Sequence, residues 1–324
     1  MAKRSLIEQL DEAVQALLAQ PDAPLPSVDA SLAPLLRVAA ELRDLPREDF
    51  KMRLQAELQE KTAPPQPRVE PIPKGYRTIT PYVVVQKAAE LIDFVKNAFG
   101  GEEVFRSVGT AGGIHCEMQV GDSKMMIGGG GQWKGTPMPT SLHLYVKDAD
   151  SVYQSALAAG AASVQEPVDQ FYGDREAGVR DLGGNHWYIS THQATGDVPP
   201  GMNTLTVFLH PKSSTEMLAF LKRAFQTEDV EYHASPEGMV HYASVKIGTS
   251  ILEMGDAHGP HQPMPTMFYL YVDDVDAWYS RALEAGAKSM YAPADQPYGD
   301  RNAGVEDPFG NQWYLATHMK DVML

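Results

Sequence analysis

The sequence predicts an α+β fold made of four β-α-β-β-β modules, which form two tandem domains behind a short helical segment. The chain has 324 residues, enough for about two domains. About three quarters of it is one unit written twice. Within each copy a β-rich run, an amphipathic helix and three short strands follow one another, and this order then repeats. Length, repeat and periodicity therefore point to the same architecture.

Residues 1–61 come first and are predicted to be helical. Apolar residues recur at helical spacing over 6–18 and over 35–42, and Pro46 suits the first turn of a third helix. Three short amphipathic helices bury little apolar surface by themselves. We therefore expect them to dock, either onto the main body or onto a second copy of the chain in self-association. We assign them no chemistry.

A linker over residues 62–75 follows the helical segment. It contains five prolines in fourteen residues. Because proline has no backbone N–H and a fixed φ, such a stretch is neither helix nor central strand and should run extended. The linker therefore separates the helical segment from the repeated body.

The repeat is clearest towards the end of each copy. Residues 169–192 and residues 295–318, 126 positions later, are identical at 16 of 24 positions. Matches at the same offset continue back through both copies, so the two domains are predicted at 76–192 and 202–318. We expect the copies to pack against each other as an internal pseudo-dimer.

Each copy is predicted to hold two modules. Alternating and β-branched residues indicate the strands, and apolar residues at helical spacing that end at a glycine indicate the helices. In the first copy the elements are a strand at 78–85, a helix at 88–99, strands at 103–107, 113–120, 124–128 and 141–146, a helix at 149–159, a strand at 162–166 and a final hairpin. Paired modules of this order should curl into open sheets with a concave face that holds a ligand.

Composition restricts the partners. The chain has 27 Lys and Arg against 42 Asp and Glu, a net charge of −15, which argues against nucleic acid and against an anionic membrane. Acidic residues interrupt the N-terminal apolar run, so no signal peptide is expected, and no apolar stretch is long enough to span a bilayer. The single Cys116 argues against a disulfide framework and suits a cytoplasmic protein. The charge favours a neutral or cationic small-molecule ligand over an anion.

Two motifs carry a resemblance to a known superfamily. Both copies end in Tyr-Gly-Asp-Arg followed by Gly-Asn-x-Trp-Tyr-x-x-Thr-His, and the first copy has His-x-Glu-x-x-x-Gly-Asp-Ser at 115–123. With the repeated modules, these motifs resemble the vicinal oxygen chelate superfamily of glyoxalase I, bleomycin-resistance proteins, fosfomycin-resistance enzymes and extradiol dioxygenases, in its PhnB-like branch. The resemblance covers both copies and implies the same fold, but its members include both metalloenzymes and proteins that only bind a drug.

The resemblance also implies where a metal would be held. In the metalloenzymes, four strands each offer one His, Gln or Glu to a divalent cation. The corresponding places are Thr80, Met126, Ser141 and Tyr188 in the first copy, and Thr206, Glu253, Met267 and Tyr314 in the second. Glu253 alone is a usual ligand, and one carboxylate does not hold such a metal. We expect the familiar site to be missing at these places.

A different polar cluster is predicted on the first concave face. Because side chains alternate along a strand, His115 and Glu117 share a face, with His143 and His186 on strands expected nearby. The three imidazoles and Glu117 would bind a divalent transition metal, or Glu117 would hold a histidine as a general base. Glu253 is the corresponding catalytic candidate in the second copy. Alternatively, these are polar groups on a wet sheet, and there is no cofactor.

Aromatic and arginine side chains are candidates for ligand contacts. A flat ligand would be gripped by Trp133, Tyr145, Tyr188, Tyr269 and Tyr314. Arg175 and Arg301 would either bind a carboxylate or phosphonate or pair with a neighbouring aspartate and rigidify a loop. The resulting hypothesis is a small-molecule-binding protein with a pocket on its concave sheet. The alternative is a divalent-metal-dependent lyase, isomerase or dioxygenase with a non-standard His/Glu ligand set.

Overall fold

The computed structural model describes residues 5–19, 24–43, 69–109 and 112–321. The chain divides into two compact units, with the boundary between residues 68 and 69. In the described residues, no helix is both long and apolar enough to cross a bilayer.

The N-terminal unit contains helices α1 (Leu6–Ala19) and α2 (Ala33–Arg43). Ser5 and Glu8 form a capping box at the start of α1, each side chain accepting a hydrogen bond from the other residue's backbone N–H. Leu17 and Leu36 are buried together where the two helices pack. The two helices confirm part of the predicted helical segment. The helix expected from Pro46 and the first half of the linker lie outside the described residues, and a role in self-association stays a prediction.

The second unit contains all sixteen strands and four further helices of the described chain. Its first copy contains β1 (Ile79–Val85), α3 (Ala88–Phe99), β2 (Glu102–Val108), β3 (Ile114–Val120), β4 (Ser123–Gly129), β5 (Ser141–Tyr145), α4 (Ala149–Ala158), β6 (Ala162–Asp169), β7 (Asp174–Arg180) and β8 (His186–His192). Its second copy contains β9 (Leu205–Leu209), α5 (Ser214–Phe225), β10 (Glu228–Ala234), β11 (Val240–Ile247), β12 (Ser250–Met254), β13 (Met267–Tyr271), α6 (Val275–Glu284), β14 (Lys288–Asp295), β15 (Asp300–Glu306) and β16 (Gln312–His318). Every element predicted for the first copy is present; β6 differs most, running three residues further than expected.

The strands form two eight-stranded sheets, and each sheet takes one module from each copy. Sheet 1 has the order β14-β15-β16-β13-β1-β4-β3-β2, and sheet 2 has the order β10-β11-β12-β9-β5-β8-β7-β6. The copies join where β1 pairs antiparallel with β13 and where β5 pairs antiparallel with β9. The two modules of one copy therefore lie in different sheets, so residues of one copy do not share a single sheet face.

Helices cover one face of each sheet and close the apolar core. Helix α3 packs on β3 and β4, α4 on β7 and β8, α5 on β11, and α6 on β15 and β16. Trp187 and Trp313, the tryptophans of the two Gly-Asn-x-Trp segments, are fully buried. Phe99 lies 4.5 Å from the Trp187 ring and Phe268 lies 4.1 Å from the Trp313 ring, as centroid distances. Among the described residues of the second unit, no helix packs on the opposite face of either sheet.

The repeated Gly-Asn-x-Trp segment is explained by a hydrogen-bonded turn. The Asp181 carboxylate accepts bonds from the backbone N–H of Asn185 at 3.0 Å and from the indole N–H of Trp187 at 2.8 Å. The Asn185 side chain in turn accepts from the N–H of Thr140, just before β5. Asp307, Asn311 and Trp313 repeat the arrangement. These side chains fix the turn to the core.

Reciprocal contacts relate the two copies by an approximate two-fold axis. The hydroxyls of Thr140 and Thr266, equivalent residues, are hydrogen-bonded to each other at 2.7 Å. Ser123 accepts a bond from the backbone N–H of Leu205, and the equivalent Ser250 accepts one from Ile79. Such paired bonds are what an internal pseudo-dimer requires.

Candidate functional site

Each sheet has one helix-free face, called face 1 on sheet 1 and face 2 on sheet 2. Alternation along the strands places every second side chain there. Face 1 carries Tyr82, His115, Glu117, Met126, Tyr269, Tyr271, Asn302, Tyr314 and Ala316. Face 2 carries His143, Tyr145, Glu176, Tyr188, Ser190, Phe208, Tyr242 and Glu253. The two faces have equivalent strand arrangements but carry different side chains.

A buried ionic network crosses face 2. Glu253 is fully buried, and both of its carboxylate oxygens lie 3.2 Å from Nδ1 of His143. Nε2 of His143 lies 2.8 Å from the hydroxyl of Ser190, which donates to Glu176 at 3.1 Å. Tyr242 donates to Glu253 at 3.0 Å. One imidazole therefore bridges two carboxylates.

Charge balance explains the protonation of this network. Burial lowers the pKa of His143, but Glu253 and Glu176 outweigh burial and raise it to about 8. The imidazolium form, dominant at neutral pH, donates from Nδ1 to Glu253 and from Nε2 to Ser190, which leaves the serine proton for Glu176. Burial raises the pKa of Glu176. The network is satisfied when His143 carries a proton on each of its two ring nitrogens.

A cleft of about 550 Å³ opens at the end of face 2. It lies where β8 begins and β9 ends, beside the loop that precedes β13. Its lining residues are Arg180, Asp181, Leu182, Gly184, His186, His210, Pro260, His261, Gln262 and Met264. The Tyr188 hydroxyl lies 2.9 Å from both Nε2 of His210 and Nδ1 of His261. A phenol bound by two imidazoles therefore adjoins the cleft.

The imidazoles of the cleft are neutral. Burial and the neighbouring histidines lower the pKa of His210 to about 3, and burial followed by His258 lowers that of His261. Burial and Arg180 lower the pKa of His186. Burial also raises the pKa of Tyr188. Neutral rings and a neutral phenol can accept or donate a proton towards a ligand.

Face 1 is covered by the chain itself. The strap, residues 69–76, crosses it: the Pro71 carbonyl accepts from the N–H of His318 at 3.1 Å, and Ile72 and Tyr76 pack among Met126, Tyr269 and Tyr271. The Tyr76 hydroxyl donates to Glu117, and the Lys124 ammonium lies 4.0 Å from the centre of the Tyr76 ring. Face 1 is therefore an aromatic cluster closed by a segment of the linker.

The structure does not bring the four predicted His and Glu residues together. His115 and Glu117 lie 3.8 Å apart on face 1, whereas His143 is on face 2 and His186 lines the cleft. The physical reason is the sheet pairing, which places the two modules of the first copy in separate sheets. Glu253 joins His143 instead, across the boundary between the copies.

The aromatic candidates are divided in the same way. The Tyr145 ring lies against the His143 ring, with centres 4.3 Å apart and planes inclined by 34°, and Tyr188 adjoins the cleft, so both belong to face 2. Tyr269 and Tyr314 belong to the aromatic cluster of face 1. Trp133 follows β4 in sheet 1, where a methyl group added at Gly113 would meet its side chain.

The two arginine candidates lie in ion pairs on the surface. Arg175 donates to Asp150 of α4 at 2.6 Å and to Asp169 of β6 at 3.1 Å. Arg301 makes the same bonds, to Asp276 and Asp295. Each guanidinium group connects an edge hairpin to a helix. Within the described residues, their ion-pair partners belong neither to the aromatic cluster of face 1 nor to the ionic network of face 2.

The residues present do not fit the divalent metal that the resemblance implies. Strand pairing places Thr80, Met126, Met267 and Tyr314 in sheet 1, and Ser141, Tyr188, Thr206 and Glu253 in sheet 2. Glu253 alone is a usual ligand there, and it is bound by His143 and Tyr242. Across the described ranges, no three His, Cys, Asp or Glu side chains are grouped to hold a metal ion together.

Sequence reasoning missed Glu176, Ser190 and Phe208 on face 2 and His210 at its end. His210 follows Thr206 and Phe208 at the period of two, and Ser190 follows His186 and Tyr188 in the same way, so strand alternation could have placed both on the face. The residue types of Ser190 and Glu176 gave no signal of a role. They lie beside a retained Asp-Arg motif and a retained Thr-His ending, and each becomes important only because His143 lies between them.

Comparison with known proteins identifies related sequences. A family model for the glyoxalase/bleomycin resistance protein/dioxygenase superfamily matches residues 78–189 and 209–315. An uncharacterised protein of Mycobacterium tuberculosis is 36% identical over 122 residues, 34% of this chain and 72% of that protein. One of Mycobacterium bovis shows the same identity over 80% of its length. The family matches together cover more than half of the chain.

Solved structures share the architecture. Glyoxalase I from Zea mays has a TM-score of 0.58 at 14% identity, with 75% of this chain and 92% of that chain covered. A putative dioxygenase from Bacillus subtilis has a TM-score of 0.52 at 14% identity, with 75% and 85% covered. At these identities the likeness concerns the fold alone.

Proposed function

The chain belongs to the glyoxalase/bleomycin resistance protein/dioxygenase superfamily, and we propose that it is a small-molecule-binding member that takes a flat organic ligand at face 2. The Gly-Asn-x-Trp-Tyr ending of both copies supports a place in the PhnB-like branch. Turnover is not required for this function.

One observation carries the proposal, namely the difference in access between the two faces. Face 2 opens into a cleft of about 550 Å³, within the usual range for a small-molecule pocket. At face 1, Ile72 and Tyr76 of the strap pack on the aromatic cluster and take the place a ligand would need. A ligand that entered face 1 would have to displace these side chains, whereas the cleft at the end of face 2 is open beside the buried network.

The lining of the cleft supports a flat ligand. His210 and His261 are stacked with ring centres 5.0 Å apart, and Phe208 lies 5.0 Å from His210 and 5.5 Å from Tyr188. Leu182 and Met264 add apolar surface. Planar side chains of this kind bind planar ligands by stacking.

The cleft also offers a proton to a bound ligand. Tyr188 carries one hydroxyl proton for two imidazole partners, so one of its two bonds is donated by an imidazole N–H. A ligand group that reached Tyr188 or His261 could exchange a proton with this pair. Binding is the function supported here, and proton exchange would serve it by adjusting ligand charge.

Native mass spectrometry of the full chain tests the proposal. The protein would be measured as purified and after incubation with a set of flat aromatic compounds. Met264→Trp fills the cleft and should remove bound small molecules. Met138→Trp is the matched control, because Met138 is the equivalent residue of the first copy, and this variant should retain binding.

Two results would contradict the proposal. One is equal loss of bound compounds in Met264→Trp and Met138→Trp, and the other is a wild-type chain that takes up none of them. A divalent metal retained in stoichiometric amount would instead support the metal-dependent lyase, isomerase or dioxygenase of the alternative hypothesis.

A further inference from the structure

Nine of the ten histidines of this protein fall into two groups with different partners. His115, His143, His192, His233 and His318 each lie within 4.0 Å of a carboxylate oxygen. At the cleft, His186, His210, His258 and His261 do not; over the described ranges, none of these four has an acidic side chain within ion-pair distance. In a protein with a net charge of −15, four imidazoles without a carboxylate are a local exception.

A guanidinium group joins the second group. Arg180 lies directly opposite His186 in the pairing of β7 with β8, and it lines the cleft. Unlike Arg175, it makes no ion pair within the described part of the chain. The cleft therefore gathers one permanent cation and several proton-accepting rings, and Asp181, the carboxylate among its lining residues, is engaged in the hydrogen bonds of its own turn.

The acidic groups nearest the cleft are already engaged. Asp181 accepts five hydrogen bonds, from Gly183, Asn185 and Trp187. Asp256 accepts from the backbone N–H groups of Ser214 and Val240. Glu176, which faces Tyr188 from β7, belongs to the His143 network. Neither Asp181 nor Asp256 is within ion-pair distance of the cluster.

The hydrogen bonds inside the cluster leave capacity unused. His258 donates from Nδ1 to the backbone carbonyl of Asp256, which leaves its Nε2 free to accept. His210 is 7% exposed, and its Nδ1 has no hydrogen-bond partner within the described ranges. A buried ring nitrogen without a partner is costly, so this cluster is built for a group that is bound from outside.

From these contacts we propose that the cleft binds an organic anion, with its carboxylate or phosphonate group held by Arg180 and by the imidazoles of His186 and His261, and that the cluster takes up a proton on binding. This rests on the proposed function and names the ligand class of that site. Without an anion, the rings repel one another's protons, as the lowered pKa values of His186, His210 and His261 indicate. A bound oxyanion offsets the repulsion between a protonated ring and its neighbours, so binding of the anion is coupled to uptake of a proton by the cluster. The positive potential of Arg180 and the protonated cluster thus favours an anionic ligand, whereas the net charge of the chain favoured a neutral or cationic one.

The test compares benzoate, phenylphosphonate and their neutral relative benzamide on the full chain by calorimetry. Benzoate or phenylphosphonate should bind at least about tenfold more tightly than benzamide near pH 6, and lose up to about tenfold in affinity per pH unit towards pH 8. Calorimetry in buffers of different ionisation enthalpy should show about one proton taken up per anion bound. A stronger response to one of the two anions identifies the head group.

Variants locate the effect. Arg180→Gln should remove the preference for the anion, and His261→Asn should flatten the pH dependence. Arg106→Gln and His233→Asn are matched controls on other strands and should behave as wild type, since Arg106 is paired with Glu103 and His233 is on an edge strand. Equal affinity for benzamide and benzoate, or an affinity for benzoate that does not change with pH, would overturn the inference while leaving flat-ligand binding intact. Absence of binding by all three compounds would remove the proposed function as well.

Discussion

Faces 1 and 2 are formed by equivalent strands, and the residues that differ between them differ as a set. Four positions of the ionic network of face 2 are replaced together in face 1, where none of them carries a carboxylate or an imidazole. The pairs, with face 2 first, are Glu253 and Met126, His143 and Tyr269, Ser190 and Ala316, and Glu176 and Asn302. A network that had lost one member would leave a buried charge unpaired, so such a set is stable when complete or when absent.

The two faces show that two equivalent surfaces of one chain can have different roles. In face 1 the replacements Met126, Tyr269 and Ala316 belong to a surface that Ile72 and Tyr76 cover, and Glu117 binds Tyr76 at its edge. In face 2 the polar set is kept and the adjoining cleft stays accessible. Face 1 is therefore filled by packing, whereas face 2 adjoins the cleft at which we propose that a ligand binds.

Removal of His143 is expected to break the comparison most severely. His143→Ala leaves Glu253 and Glu176 buried without their shared cation, which should cost about 3–5 kcal/mol of the free energy of unfolding. Urea denaturation measures this loss. The matched control changes all four network residues to those of face 1 (His143→Tyr, Glu253→Met, Ser190→Ala and Glu176→Asn), and should recover most of the stability. A four-residue variant as unstable as His143→Ala would refute the concerted network.

Removal of Tyr76 should open face 1. Tyr76→Ala is expected to cost about 2–3 kcal/mol, because it exposes the aromatic cluster and takes a donor from Glu117. Tyr76→Phe keeps the ring and should cost about 1 kcal/mol. Binding of a hydrophobic fluorescent dye should rise for Tyr76→Ala alone. If neither variant changes dye binding, the strap is not what closes face 1.

The pH dependence of stability distinguishes the faces further. The pKa of His143 is raised from 6.5 to about 8, so its stabilisation is complete below pH 6.5 and is lost as the pH rises through 8. The loss should be about 2 kcal/mol. It is measured as the difference in unfolding free energy between wild type and the four-residue variant at pH values from 6 to 9. A difference that does not fall with pH would show that His143 is neutral in the folded protein.

The smallest effect is expected at the arginines that the motif singled out. Arg175→Gln and Arg301→Gln break surface ion pairs, which contribute little to stability. Ligand uptake at the cleft should be unchanged, in contrast to Arg180→Gln. Isothermal titration with benzoate provides the comparison. Loss of benzoate binding in Arg175→Gln would instead show that Arg175 contributes to ligand binding, as the sequence motif predicted.

The sequence predicted the modules because their signals are local. Alternation, helical spacing and the glycine at Gly100, which adopts a left-handed φ of 66°, are each read from a few neighbouring residues. Sheet pairing is a long-range property, so the alternation that correctly placed His115 and His143 each on a helix-free face could not tell that these faces belong to different sheets. For the same reason Glu253 appeared as an isolated carboxylate and not as the partner of His143. The five prolines of the linker predicted an extended segment. Their presence does not indicate where that segment packs, so the position of Tyr76 on face 1 could not be predicted.

Methionine methyl groups provide the most direct test of where the ligand binds. Met264 lines the cleft of face 2, and Met126 is buried in the cluster of face 1. In protein labelled with ¹³C at the methionine methyl groups, titration with benzoate near pH 6 should shift the Met264 signal and leave the Met126 signal unchanged. A shift of Met126 without a shift of Met264 would contradict the assignment of ligand binding to face 2.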